Sequence, residues 1–232
     1  MSHDLLQCLS RSSQGEVWRA RDRETGEIVA VKRPGGLAGL VAIRHRHVVR
    51  VIECDAEEMV MEWIEGESLD KLSPLDPSRF EALVHQILSG LAAIHEAGFL
   101  HLDLKPENIL QSARGFVITD LGNAQALPVQ KHQLRGSVHY MAPECFEGAQ
   151  LDERADLYSL GCVFYLALTG RMAFEGELAP QVITAHLQHR VKPIEGTVGD
   201  WIGRLMARNR DDRPRTVREA ITSWPGPSRP SA

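Results

Sequence analysis

The sequence predicts an α+β protein of two lobes, with a small antiparallel β-sheet lobe first and a mainly helical lobe after it. Three observations carry that expectation. Short β-branched runs crowd the first 65 or so residues, the apolar period switches to that of a helix at residues 79–97, and the pattern beyond Gly148 is mostly helical.

In chain order, "GEVWRARD" (15–22), "EIVAVKR" (27–33), "HVVRVIE" (47–53) and "EMVMEWI" (58–64) read as strands. The polar turns "ETGE" (24–27) and "DAEE" (55–58) between them suggest an antiparallel meander. A segment "EGESLDKLSPLDP" (65–77) links the two parts. Phe80, Leu83, Val84, Ile87, Leu88, Leu91 and Ile94 then mark one face of a helix that Gly98 stops. Short strands follow around 99–102, 109–111 and 116–119, and helices at about 153–169, 178–189, 198–208 and 216–223. The expected layout is a single domain over 1–232: a sheet lobe at about 1–64, a hinge at about 62–70, a helical lobe at about 71–223 and a flexible Pro/Ser-rich tail at 224–232. A cleft between the lobes is where a ligand belongs.

Composition narrows the function classes. With 26 Lys and Arg against 31 Asp and Glu, the chain is mildly acidic, which argues against bulk nucleic-acid binding. The one dense basic spot, "RHRH" at 44–47, reads as a solvated turn. Cys8, Cys54, Cys145 and Cys162 lie far apart without a C-x-x-C pair, which fits free thiols rather than a disulfide framework or zinc site. "MSHDLLQCLS" lacks the pattern of a secretory signal, and the apolar stretch 157–170 is too short for a bilayer. A cytoplasmic protein with no membrane partner is expected.

The candidate chemistry lies in "HLDLKPENIL" (101–110), "ITDLG" (118–122) and "VAVK" (29–32). Asp103 and Asn108 share one loop, five residues apart; Asp120 follows a predicted strand, with a Gly to turn the chain; Lys32 ends a strand. Phosphoryl transfer needs such parts: hard oxygen ligands for Mg²⁺, a carboxylate for the attacking hydroxyl, and cations for the transferring charge. The order and spacing resemble the Hanks-type (eukaryotic-like) serine/threonine protein kinases, in a compact bacterial-type form, from about residue 9 to residue 220. The resemblance implies the bilobal kinase fold, ATP and Mg²⁺, and transfer to a protein Ser or Thr. It makes Asp103 the catalytic aspartate, Lys105 the lysine on the transferring phosphoryl, Asn108 and Asp120 the metal ligands, and Lys32 the phosphate-holding lysine. "VMEWIEG" (60–66) resembles the hinge, with Met61 at the back of the pocket and the backbone of Glu62 and Ile64 meeting adenine between Val17, Ala30 and Leu110. Ser137 in "GSVHYMAPE" (136–144) resembles the substrate loop, Asp156 the anchor of the catalytic loop, and Arg213 the buried partner of Glu144.

Three departures from the family pattern bear on activity. The nucleotide loop at 10–17 reads "SRSSQGEV", so Ser10 and Ser12 replace the first two glycines and only Gly15 and Val17 match. Residues 33–44 contain no acid, and Gly36 stands where the family's helix C glutamate is counted, so that helix is truncated or missing. Lys32 then needs another partner, such as Asp120; the enzyme is slow, or a partner protein or dimer contact supplies the missing acid. Leu102 replaces the arginine that receives an activation-segment phosphate, and 123–136 contains no Ser, Thr or Tyr. Leu37, Leu40 and Val41 form either an exposed apolar edge or a short helical remnant on the sheet. The expectation is an active Ser/Thr kinase; the alternative is a pseudokinase that binds nucleotide or partners without useful turnover. A small-molecule phosphotransferase would not need "GSVHYMAPE".

Overall fold

A computed structural model describes residues 3–12, 15–129, 136–189 and 191–226. The sheet lobe contains β1 (His3–Ser12), β2 (Gly15–Asp22), β3 (Ile28–Arg33), β4 (Val51–Cys54) and β5 (Met59–Glu62). All pairs are antiparallel, in the order β1-β2-β3-β5-β4. Two expectations are corrected here. The sheet is not a simple meander: β5 lies between β3 and β4, because Met59, Val60 and Met61 are all buried and such a strand belongs at the centre. β1, absent from the sequence reading, has irregularities between Leu5 and Gln7 and between Cys8 and Ser10. These break the alternation that announces a strand.

β4 also starts later than the expected 47, and the reason sets the geometry between the lobes. His47–Val49 leave the sheet and pair with the end of the strand Gly115–Ile118 of the helical lobe instead. The Val49 amide donates to the Ile118 carbonyl at 2.8 Å, and the Ile118 amide donates to the His47 carbonyl at 2.9 Å. The basic cluster at 44–47 is therefore a solvated turn only in part: Arg44 and Arg46 are exposed, but the two histidines turn inward. His47 is buried with Nδ1 2.8 Å from the Phe116 carbonyl, His45 Nε2 lies 3.1 Å from Ser89 Oγ, and Arg44 donates to the carbonyls of Val41, Ile43 and Val51. Burial, the largest influence on both rings, holds them below the ordinary histidine range.

Between β3 and β4 the truncated helix is a single 3₁₀ turn, Ala38–Ala42. Glycines let it lie flat. A side-chain carbon on Gly36 would stand 2.6 Å from Met59 Cε, and one on Gly39 2.8 Å from Phe99 Cζ. Leu40 is wholly buried, whereas Leu37 remains 40% exposed. The remnant thus packs on the sheet through Leu40, with Val41 half-buried, while Leu37, Ala38, Gly39 and Ala42 face solvent.

The helical lobe begins after β6 (Gly66–Ser68) and α1 (Leu69–Leu72). α2 (Pro77–Glu96) is capped by Asp76, which accepts the Ser78 and Arg79 amides at 3.0 Å each, and Gly98 beyond it takes φ 83°. Its predicted apolar face, from Phe80 to Ile94, is buried. β7 (Phe99–Leu100), β8 (Ile109–Ser112), β9 (Gly115–Ile118) and β10 (Gln125–Ala126) carry the catalytic segments, followed by α3 (Pro143–Glu147). α4 (Glu153–Thr169) is largely buried and runs through the middle, meeting α5 (Ala179–Leu187) through the Tyr158–His186 bond and packing along α6 (Thr197–Leu205), while α7 (Val217–Thr222) packs on α2. One apolar cluster joins β4, β5 and the 3₁₀ turn to α2, α4 and α6, so the lobes share a core. The start of the expected tail is docked rather than free: Trp224 packs at 4.8 Å from Trp201 and 6.1 Å from Phe80, ring centre to ring centre. Residues 227–232 lie outside the described residues.

α4 approaches α6 closely at Gly161, where an added carbon would stand 2.6 Å from Met206 Cγ and 3.0 Å from Leu205 Cβ. Gly161→Val should lower stability by about 1–3 kcal/mol through overpacking, read as a lower denaturant midpoint with an unchanged slope.

Candidate active site

The site is built on a carboxylate that is itself out of reach. Asp156, in the first turn of α4, is fully buried. Its Oδ2 accepts the His101 amide at 2.8 Å and its Oδ1 the Leu102 amide at 2.8 Å, while His95 Nε2 donates to Oδ2 at 2.8 Å. Burial would push the Asp156 carboxyl up, but these donors, His95 foremost, outweigh it and hold it below the usual carboxylate range. Leu102 takes φ 60°, a left-handed conformation that disfavours a leucine by roughly 1–2 kcal/mol. Two charge-assisted bonds from adjacent amides offset that strain. The side chain of Leu102 is buried among apolar neighbours.

The loop so anchored presents Asp103, whose side chain is 1% exposed. Its Oδ2 accepts from Lys105 Nζ at 3.2 Å, from Asn123 Nδ2 at 3.2 Å and from Asn108 Nδ2 at 3.4 Å; its Oδ1 accepts the Ser137 amide at 3.2 Å. His101 steadies the same loop: Nδ1 accepts the Asp103 amide at 3.2 Å, which leaves Nε2 to donate to the Thr119 carbonyl at 3.1 Å.

Across the cleft, Lys32 is 4% exposed and its ammonium donates to Asp120 Oδ1. Burial alone would raise the Asp120 carboxyl; the Lys32 charge outweighs it and keeps the group below its ordinary value. The left-handed turn after β9 is made by Asp120 itself, at φ 55°, not by the glycine that the sequence reading assigned to it. Gly122 serves space instead, since any side-chain carbon there would collide with the Lys32 amine and its Cε.

A cavity of about 500 Å³ opens beside these groups. It is lined by Val17, Ala30, Met61, Glu62, Ile64, Leu110, Asn108 and Asp120, and also by Leu9, Val49 and Thr119, which the sequence did not single out. Glu62 turns its carboxylate to Arg114, at 2.7 and 3.1 Å, and to the Arg50 amide, at 2.8 Å. Gly15 opens β2 with φ 123°, pressed against the Arg33 backbone, and is not part of the lining. Asn108 Nδ2 is committed to the Asp103 carbonyl at 2.9 Å, which leaves its amide oxygen as an acceptor. Asp120 spends Oδ1 on Lys32 and on the Gly122 amide at 3.2 Å, which leaves Oδ2. Two hard oxygens in one cavity suit Mg²⁺, which fills its remaining positions with water and phosphate. Farther off, Arg213 grips Glu144 with two parallel bonds of 2.7 and 2.9 Å and stacks 4.7 Å from the Tyr158 ring centre.

The geometry thus brings Lys32 to Asp120, and Lys105, Asn108 and Ser137 to Asp103. Asn123 was missed: one amide after a D-x-G carries no signal without the fold. Of the segment 123–136, residues 130–135 lie outside the described residues.

The family model described as "Protein kinase domain" matches residues 37–223. Similar curated proteins include the serine/threonine-protein kinase pkn2 of Myxococcus xanthus, 33% identical over 93% of this chain and 31% of its own. The serine/threonine-protein kinase PknD of Mycobacterium tuberculosis is 32% identical over 91% of this chain and 37% of its own, and PkaA of Streptomyces coelicolor 32% identical over 89% and 46%. The chain therefore spans less than half the length of each of these relatives.

The buried pair under the loop predicts a pH dependence of stability. Burial pulls the His95 ring down, but the bond to Asp156 and the Glu153 carboxylate 3.4 Å from Nδ1 overcome it and raise it from 6.5 to about 9. Its contribution is complete below pH 6.5 and is lost as pH rises through about 9. Asp156, held low, contributes above pH 3.8 and loses its contribution in acid. Denaturant unfolding should show the alkaline loss in the parent chain and a much flatter alkaline limb in His95→Gln.

Proposed function

Because this chain belongs to the protein kinase family, we propose that it transfers the γ-phosphoryl group of ATP to a Ser or Thr hydroxyl of a protein, with Mg²⁺. The observation that carries the reading is the pairing of Lys32 with Asp120 at the edge of a cavity that Asp120 and Asn108 line, with Asp103 bonded to Asn108. Val17, Ala30 and Leu110 would sandwich adenine under Met61, with the backbone of Glu62 and Ile64 at its edge. Asn108 and Asp120 would hold Mg²⁺, which neutralises charge on the triphosphate when bound. Asp103 would orient the acceptor hydroxyl and take its proton, and Lys105 would turn from Asp103 toward the transferring group. Ser137 and its loop would receive the peptide.

Two features support activity without outside help. Lys32 finds its counter-charge in Asp120, within the chain, although 33–44 contains no acid. The place of the missing helix is filled by the packed turn around Leu40, which leaves little for a partner or second copy to complete. With Leu102 buried and no hydroxyl in 123–136, control by phosphorylation of that stretch is not expected. No helix among the described residues is long and apolar enough to cross a membrane, in keeping with a proposed place in the cytoplasm.

The test is incubation with labelled ATP, Mg²⁺ and a generic protein substrate. Asp103→Ala should lower transfer by about 10²-fold or more while nucleotide still binds. Nucleotide binding with no transfer by the parent chain would favour a pseudokinase instead. Treatment with a phosphatase before the assay should leave the rate unchanged, and an activity that needs a phosphate between residues 123 and 136 would refute that part.

A further inference from the structure

The donors on Asp103 are not equivalent. In the reading proposed above, on which this inference rests, Lys105 turns to the transferring phosphoryl group and Asn108 offers its oxygen to the metal. Asn108 is already bound more closely to the Asp103 carbonyl, at 2.9 Å, than to the carboxylate, at 3.4 Å. Ser137 donates through its backbone at the mouth where a peptide must enter. Asn123 Nδ2, 3.2 Å from Asp103 Oδ2, has none of these tasks.

Asn123 also closes the 3₁₀ turn Leu121–Asn123 that Asp120 caps through the Gly122 amide. Lys32 grips Asp120 at the head of that turn, and Asn123 grips Asp103 at its foot. The geometry points to Asn123 as a positioning residue: its side-chain amide fixes the Asp103 carboxylate to the Lys32–Asp120 pair, so that one short turn aligns both carboxylates in a chain without the helix C acid. None of the sequence motifs singled this position out.

The charge logic makes the idea testable. Asn123→Ala removes the donor and should lower kcat about 10-fold or more while the KM for ATP holds. Asn123→Asp keeps the shape but sets a second carboxylate against Asp103, so kcat should fall below that of the alanine variant. A residue that merely filled space would give the reverse order, with the aspartate variant near the parent, and either that order or an unchanged kcat in both variants overturns the proposal. The contact itself is read without turnover. In ¹⁵N-labelled, nucleotide-free chain, the Asn123 side-chain amide resonances should move when Asp103 is replaced by Asn, and resonances that stay in place also overturn it. A parent chain that transfers no phosphate sinks the proposed function and with it any part of Asn123 in catalysis, whereas the amide resonances still report whether the contact exists.

Discussion

Everything in the cleft hangs from the fully buried carboxylate of Asp156. A charge there is tolerable only because it is saturated: two backbone amides and a histidine surround it, and removing any of them would leave the charge partly unpaired in a dry interior. That requirement works in both directions. It stabilises the left-handed backbone at Leu102, and the direction taken there aims Asp103 into the cleft. The same helix, α4, is apolar elsewhere and packed on all sides, so the anchor is as rigid as the core around it.

The second constraint is the isolation of Lys32. A lysine 4% exposed must be paired, and the stretch after β3 supplies no acid. Asp120 meets the need, and Gly122 clears the volume that the lysine occupies. The loss of a helix is thus absorbed locally. Two glycines and a buried leucine lay the remaining turn onto Met59 and Phe99, and the sheet is covered with fewer residues.

Much of this is legible in the sequence alone. The motif residues Lys32, Asp103, Asn108 and Asp120 are polar groups at fixed places after strands and turns, and the helices α2 and α4 announce themselves through caps and apolar faces. What escaped depends on partners distant in sequence. β1 hides its strand character behind two irregularities, and His45 and His47 look solvated until Ser89 and the Phe116 carbonyl arrive to meet them. Trp224 resembles part of a loose tail until Trp201 packs against it. The assignment of the sharp turn to glycine failed because Asp120 accepts its own local amide and so tolerates a left-handed backbone, while the glycine answers to crowding.

The pairing of His47–Val49 with β9 has a consequence for how the molecule comes apart. Main-chain bonds stitch the first lobe to the second at a point where Gly90 of α2 also runs tight against the His47 carbonyl, 2.7 Å from where a side-chain carbon would begin. The apolar interior is continuous through the same place, and only a small cluster around Ala20, Val29, Val31 and Val60 belongs to the sheet lobe alone. The architecture is drawn as two bodies, but separating them would expose the shared interior and break the main-chain bonds together, which couples the opening of one to the other.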